Sequence, residues 1–231
     1  MIDKTVATVA EALAGVANRA TLLLGGFGAV GQANELIEGL LEADVRELTV
    51  VANNAGYGAV GLARLLKEGR VRKLICSYPR IAGSTVFEDL YSRGKLELEL
   101  VPQGTLAERM RAAGAGIPAF YTPTGADTLL SQGREVREFD GRAHVLETAL
   151  HGDVALIEAW EGDRWGNLTY RAAGRNFNPV CATAARLTIA QVHHIRQLGE
   201  IGPEHVVTPG IFVDRMVKIA NGRTMVEEDS K

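Results

Sequence analysis

Short aliphatic runs alternate with segments of helical period through the first half of the chain. Residues 5–14 place Val6, Val9, Ala10 and Leu13 at helical spacing, which predicts a helix capped by Thr5. Thr21–Leu24 is a short apolar run that ends in Gly25-Gly26, and it predicts a strand. A helix follows, with Leu36, Ile37, Leu40 and Leu41 on one face. The alternation continues with a strand at Leu48–Val51, a helix at Val60–Leu66, a strand at Val71–Cys76 and a helix over 84–92. Strands that are apolar throughout and separated by helices predict a parallel sheet covered on both faces. Leu96–Leu100 differs: its strict alternation predicts a strand with one wet face. Residues 105–112 read as a helix, with Thr105 and Glu108 spaced as a capping box.

After residue 113 the pattern changes. Residues 114–128 carry glycines, prolines and small residues and predict one long loop. Asp140-Gly141, between Glu135–Phe139 and Ala143–Glu147, predicts a hairpin. Further strands are expected at Ala155–Trp160 and Leu187–Val192, while Ile211, Val213, Met216 and Val217 mix both periods and stay undecided. The expectation is one α/β domain over 1–220, an open, mostly parallel sheet with flanking helices and a β-rich subregion, then a polar tail over 221–231.

Composition narrows the function classes. Lys and Arg number 25 against 28 Asp and Glu, and this net charge of −3 gives no footprint for nucleic acid. No apolar run is long enough for a membrane span or a signal peptide, so a cytoplasmic protein is expected. Cys76 and Cys181 are far apart and no CxxC occurs, so they are expected as free thiols. His193-His194 are neighbours on a predicted strand and point to opposite faces, and the other histidines lack ligand spacing; no metal site is expected. No Gly-x-Ser-x-Gly elbow is present, which argues against a serine hydrolase. Trp160 and Trp165, bracketing a turn near Gly166, read as packing residues.

The candidate chemistry begins at Gly26-Phe27-Gly28-Ala29-Val30-Gly31, which matches G-x-G-x-x-G between a strand and a helix. A dinucleotide site would want an acidic residue at the end of the next strand, yet that strand ends in Asn53-Asn54. Two other readings stay open. One is a tight turn without a ligand. The other is a glycine loop whose amides approach an acyl group or oxyanion closely.

Thr21–Gly31, Asn53-Asn54-Ala55-Gly56 and Val101–Arg109 together resemble the signatures of the A-type chain in family I CoA-transferases. Phe120–Gly125, Arg134–Arg137, Gly166–Tyr170 and Ala173–Asn178 extend the resemblance in order, from about residue 4 to about residue 217. The resemblance implies an open α/β fold, a B-type partner of similar fold and an A2B2 tetramer. It implies ping-pong transfer of CoA from succinyl-CoA to a 3-oxo acid through a glutamyl-CoA thioester. Coenzyme A would be a substrate, with no permanently bound cofactor. The nucleophilic glutamate would lie in a Ser-Glu-Asn-Gly motif on the B-type partner, and this chain has no such run. Glu135, Glu147 and Glu158 read instead as solvated or paired surface carboxylates, so the chain alone is expected to be inactive.

On this resemblance Gln103 would help bind substrate or the thioester oxyanion, a task that suits a neutral amide donor. Asn53 and Asn54 would line the acyl pocket, and Gly25, Gly26, Phe27, Gly28 and Gly31 would close over it. One departure stands out: the family's loop usually reads G-x-P, and here it is Gly31-Gln32-Ala33, which predicts a less rigid entry to the helix. Cys76–Arg80 with Ser84–Phe87, and Thr188–Val192, lean toward 3-oxoadipate enzymes rather than acetoacetate enzymes. Arg80 would then capture the distal carboxylate of 3-oxoadipate.

Overall fold

The computed structural model describes residues 2–81 and 84–219. The expected polar tail lies outside them. Twelve strands and six α-helices follow one another in this span.

The alternating half folds as its pattern predicts. β2 (Thr21–Leu24), β3 (Leu48–Asn54), β4 (Val71–Tyr78) and β5 (Glu97–Leu100) are separated by α2 (Asn34–Glu42), α3 (Gly61–Lys67) and α4 (Val86–Ser92). β9 (Gly152–Asp163), β11 (Ala185–Arg196) and β12 (Arg215–Lys218) complete the sheet with β1 (Thr5–Val6), in the order β1-β12-β11-β9-β2-β3-β4-β5. Neighbours along this path are parallel, and β10 (Leu168–Thr169) adds an antiparallel pair to β9. Leu22 and Leu24 face a core under α1 (Val9–Ala12) and α2–α4, whereas Leu23 faces a second core under α5 (Gln103–Gly114) and α6 (Asn178–Thr183). Coverage on both faces explains why the central strands are apolar at successive positions.

The small sheet is β6 (Ala119–Thr122), β8 (Arg142–Thr148) and β7 (Val136–Phe139), in the order β6-β8-β7 and antiparallel throughout. Asp140 (φ 50°) and Gly141 (φ 72°) make the expected two-residue turn, where both central residues need positive φ.

Three expectations are corrected. Thr5-Val6 is a strand, not the cap and first turn of a helix, because β12 supplies a partner more than 200 residues away. The helix starts later, at Val9, where Thr8 Oγ1 accepts from the Glu11 amide at 3.1 Å. Residues 114–128 are not one loop: β6 lies inside them and pairs with β8. The capping box is not formed, since α5 begins at Gln103 and carries Thr105 inside its first turn, with its hydroxyl buried and unpartnered. Glu108 turns to Arg111 instead, at 2.6 Å.

β5 is an edge strand, and cations pair with both of its carboxylates, Glu97 staying exposed and Glu99 half-buried. Lys73 Nζ lies 3.0 Å from Glu97 and 2.9 Å from Glu99, and Arg109 Nη1 lies 3.0 Å from Glu99. Burial alone would raise the Glu99 pKa, but Lys73 and Arg109 outweigh it and hold the carboxyl below its ordinary value. A depressed folded-state pKa contributes stability above the unfolded value, and that stability is lost as pH falls through the folded one. Glu99→Gln is therefore expected to cost about 1–2 kcal/mol at pH 7. Denaturant titrations should show the gap between variant and parent closing as the pH is taken down into the acid range.

Candidate functional site

The parallel strands end at one edge of the sheet, and the strand order reverses between β2 and β9. Crevices outside the carboxyl ends of strands at such a reversal are the usual ligand positions in open α/β sheets. The glycine run leaves β2 at this point, with the Gly25 amide bonded to Leu156 O on β9 at 3.2 Å.

Asn53, at the end of β3, is 4% exposed. Its Oδ1 accepts from Ser77 Oγ on β4 at 2.8 Å and from Gln103 Nε2 at 2.7 Å. Gln103 is placed by β5 and the start of α5, while register along β3 and β4 sets Ser77 beside Asn53. With both Oδ1 bonds made, the Asn53 Nδ2 amide has no partner among the described residues. One N–H of Gln103 Nε2 is also unused among them. Two neutral amides thus offer donors together at the sheet edge, a set suited to a developing oxyanion or a carboxylate.

Asn54 points to the other face, as successive strand residues must. Its Oδ1 accepts from the Gly56 amide at 2.8 Å, so it shapes the turn after β3. Arg80 follows the end of β4 and makes no hydrogen bond to Asn53 or Gln103. Its side chain is 79% exposed, with Nε 3.6 Å from Glu88.

The glycine run has a different explanation from a pyrophosphate cradle. A Cβ on Gly25 would fall 1.7 Å from Asn178 Oδ1, and one on Gly31 would fall 2.8 Å from Asn176 Nδ2. Both glycines are required so that two asparagines of this same chain can approach. Asn178 Nδ2 donates to Gly31 O at 2.9 Å and Gly174 O at 2.8 Å, while its Oδ1 accepts from the Glu158 amide at 3.0 Å. Asn176 Oδ1 accepts from the Gly26 amide at 2.9 Å, and its Nδ2 donates to Val30 O at 3.1 Å. Between these anchors Phe27 and Val30 close a short turn that leaves Phe27 exposed and open space where a Cβ on Gly28 would stand. The rim of the loop is fixed, and its tip is open.

Past Gly31, Gln32 is buried, and its Oε1 accepts from the Leu62 amide at 3.1 Å, tying the loop to the start of α3. Ala33 keeps φ −76°, within the range proline would impose.

Asn176, Asn178 and Ser77 carry site geometry that sequence reasoning did not assign to them. Asn176 and Asn178 lie in a stretch that resembles the family, but nothing local shows that their partners lie about 150 positions earlier.

The three glutamates weighed as nucleophiles are all engaged. Glu135 accepts from Tyr121 and Arg137, both at 2.6 Å. Glu147 is buried rather than on the surface, held by Arg134 and with Arg109 at 3.8 Å. Glu158 is largely buried as well; it accepts from Gln191 at 2.9 Å and lies 3.7 Å from His193. Trp160 packs against His194, at 4.6 Å between rings, and under Arg171, at 4.7 Å. It also lines a groove of about 410 Å³ with Tyr170 and His205, which does not include Gln103 or Asn53. Among the described residues no helix is long and apolar enough to cross a membrane, and no three His, Cys, Asp or Glu side chains gather as a metal site would need. Burial pushes the Cys76 and Cys181 thiols up to about 12, so both are inert in the folded chain.

Comparison with known proteins agrees with this architecture. The family model described as coenzyme A transferase matches residues 6–219. The chain is 56% identical to the A chain of the 3-oxoadipate CoA-transferase of Pseudomonas putida, covering 95% of each. It is 52% identical to the A chain of the succinyl-CoA:3-ketoacid coenzyme A transferase of Xanthomonas campestris pv. campestris strain B100, covering 97% of this chain and 93% of the relative. In fold it resembles an acyl-CoA transferase from Escherichia coli O157:H7, crystallised as a thioester complex with CoA. That match has a TM-score of 0.81 at 24% identity, and covers 95% of this chain and 47% of the other, about half its length. A match of the family model across nearly the whole chain, joined to relatives above half identity, places this protein in the coenzyme A transferase family.

Proposed function

We propose that the chain is the A-type half of a cytoplasmic two-subunit enzyme that moves CoA from succinyl-CoA to a 3-oxo acid, with 3-oxoadipate preferred over acetoacetate. The paired amides of Asn53 and Gln103 carry the reading: they are buried or anchored, neutral, and left with donors at the carboxyl edge of the sheet. A glutamate of the B-type partner attacks the thioester carbonyl, and negative charge gathers on the carbonyl oxygen. Neutral amides stabilise that charge without quenching the attacking carboxylate. The CoA thiolate leaves behind a mixed anhydride, then attacks its glutamyl carbonyl and expels succinate; the second acid attacks the resulting glutamyl-CoA thioester, and the same steps in reverse give the new acyl-CoA and free the glutamate.

The division of labour is supported by the missing Ser-Glu-Asn-Gly run and by the prior engagement of Glu135, Glu147 and Glu158. Phe27, Tyr57, Tyr78 and Leu100 stand exposed around the same edge. Such an apolar rim fits coverage by a second polypeptide that brings the nucleophile and excludes water. An A2B2 assembly is the arrangement we favour.

The direct test is CoA transfer from succinyl-CoA, measured for the chain alone and mixed with a B-type partner. Turnover only in the mixture is expected; turnover by the chain alone would overturn the half-site reading. The acceptor is tested at Arg80. If its guanidinium binds the distal carboxylate once the B-type partner is present, Arg80→Ala lowers the 3-oxoadipate to acetoacetate ratio of kcat/KM by roughly 10- to 100-fold. An unchanged ratio removes Arg80 from substrate selection.

A further inference from the structure

Arg134-Glu135-Val136-Arg137 is one of the stretches that carry the family resemblance, yet its side chains bond to other residues than Gln103 and it has no part in the transfer chemistry above. In the structure it leads into β7, the outer strand of the small sheet, and all four β7 residues are exposed. The Leu146 amide donates to Glu135 O at 2.9 Å, which makes Glu135–Leu146 a hydrogen-bonded pair of the β7–β8 ladder. Hydrogen bonding alternates along an antiparallel ladder, so Val136 and Glu138 direct their N–H and C=O outward, where no described strand meets them.

Residues 134–138 read Arg-Glu-Val-Arg-Glu, and this order is charge-complementary to its own reverse. A second copy laid antiparallel about a two-fold axis at Val136 sets Val136 opposite Val136, Glu135 opposite Arg137 and Arg134 opposite Glu138. The symmetry keeps each residue on its own face of the sheet, so every cross-strand pair is same-faced. Val136, whose backbone groups point outward, becomes the central hydrogen-bonded pair. The Glu138 carboxylate has no partner among the described residues, and Arg134, already on Glu147, has further N–H donors. Charges along an edge strand ordinarily repel arbitrary strands. This order admits a two-fold copy of itself and penalises a shift by one pair, which would set Arg137 against Arg137.

We propose that the outer edge of β7 is the contact between two copies of this chain, joining their small sheets into one six-stranded sheet. The contact is independent of the proposed transfer chemistry, so a Gln103 variant leaves it intact. A five-residue strand pair is small beside a stable interface of about 1,200–2,000 Å². It is therefore a two-fold element of a larger assembly, and trapping is the suitable test.

Val136→Cys puts a thiol on the axis, where Cα atoms of a hydrogen-bonded pair lie about 5.5 Å apart, inside the disulfide range of roughly 4.4–6.8 Å. Phe139→Cys is an equally exposed control, at 44% against 45%, but its two copies would lie roughly 20 Å apart. The native thiols are buried and do not compete. With the full chain under mild oxidant, and with a short bis-maleimide, V136C is expected to form covalent dimers at least about tenfold faster than F139C. Adding Arg137→Glu should slow this by about five- to tenfold, and Glu135→Arg with Arg137→Glu should restore it. Equal rates for V136C and F139C would overturn the contact, and failure of the charge swap to restore the rate would overturn its register. If, in the complex with the B-type partner, the V136C thiol is shielded from a monofunctional maleimide and yet forms no covalent dimer of this chain, that partner is the occupant and the proposal fails.

Discussion

Gln103→Ala is expected to lower kcat of the assembled transferase by about 100- to 1,000-fold, the usual effect of deleting one oxyanion donor. Gln103 is exposed on α5 and makes one side-chain hydrogen bond, to Asn53 Oδ1 at 2.7 Å. Ser77 still occupies that oxygen at 2.8 Å in the variant, so Asn53 is not orphaned and folding stability should change by less than about 1 kcal/mol. A loss of rate without a loss of stability separates chemistry from scaffolding. Gln103→Glu should not rescue activity, because a carboxylate cannot donate and would repel the developing charge. The decisive readings are kcat with saturating succinyl-CoA and the urea midpoint of the same preparation. A kcat within about threefold of the parent would remove Gln103 from the chemistry.

Asn178→Ala is expected to be strongly destabilising. Asn178 is fully buried and satisfies three backbone groups: Gly31 O, Gly174 O and the Glu158 amide. Alanine leaves one buried and two part-buried groups without that partner; at about 1–3 kcal/mol for the buried group and about 1 for each that water can reach, a total of about 3–5 kcal/mol is expected. In a chain of this length that lowers Tm by roughly 6–20 °C. Gly25→Ala should be as damaging on its own, since its Cβ would fall 1.7 Å from Asn178 Oδ1. The two should not add. Once Asn178 is shortened the clash is gone, so Gly25→Ala in the N178A background should cost much less than in the parent. A coupling of about 2 kcal/mol or more in this cycle is expected. Additive costs would mean that Gly25 is glycine for a reason other than Asn178.

The aliphatic runs at 21–24, 48–51 and 71–76 determined the parallel sheet by themselves, because a strand buried on both faces must be apolar at successive positions. Asp140-Gly141 determined its hairpin, because two successive positive φ angles are a local demand. Gln103 became a candidate by resemblance, and the pattern set it just before a helix, whereas it is the first residue of α5. What the sequence could not reveal were the pairings between distant segments. Thr5-Val6 became a strand because β12 lay alongside, and β6 emerged from an apparent loop because β8 did. Thr105 lost its cap because α5 starts two residues earlier than local propensity suggests. Asn53 and Asn54 looked equivalent as neighbours, and only the pleat separated them, sending one to Gln103 and the other into a turn. The glycine run is the clearest case. G-x-G-x-x-G records only that something must come close to the backbone; tertiary structure decided that Asn176 and Asn178 of the same chain are what comes close, because hydrogen bonds and van der Waals contact act through space and leave no local trace 150 residues away.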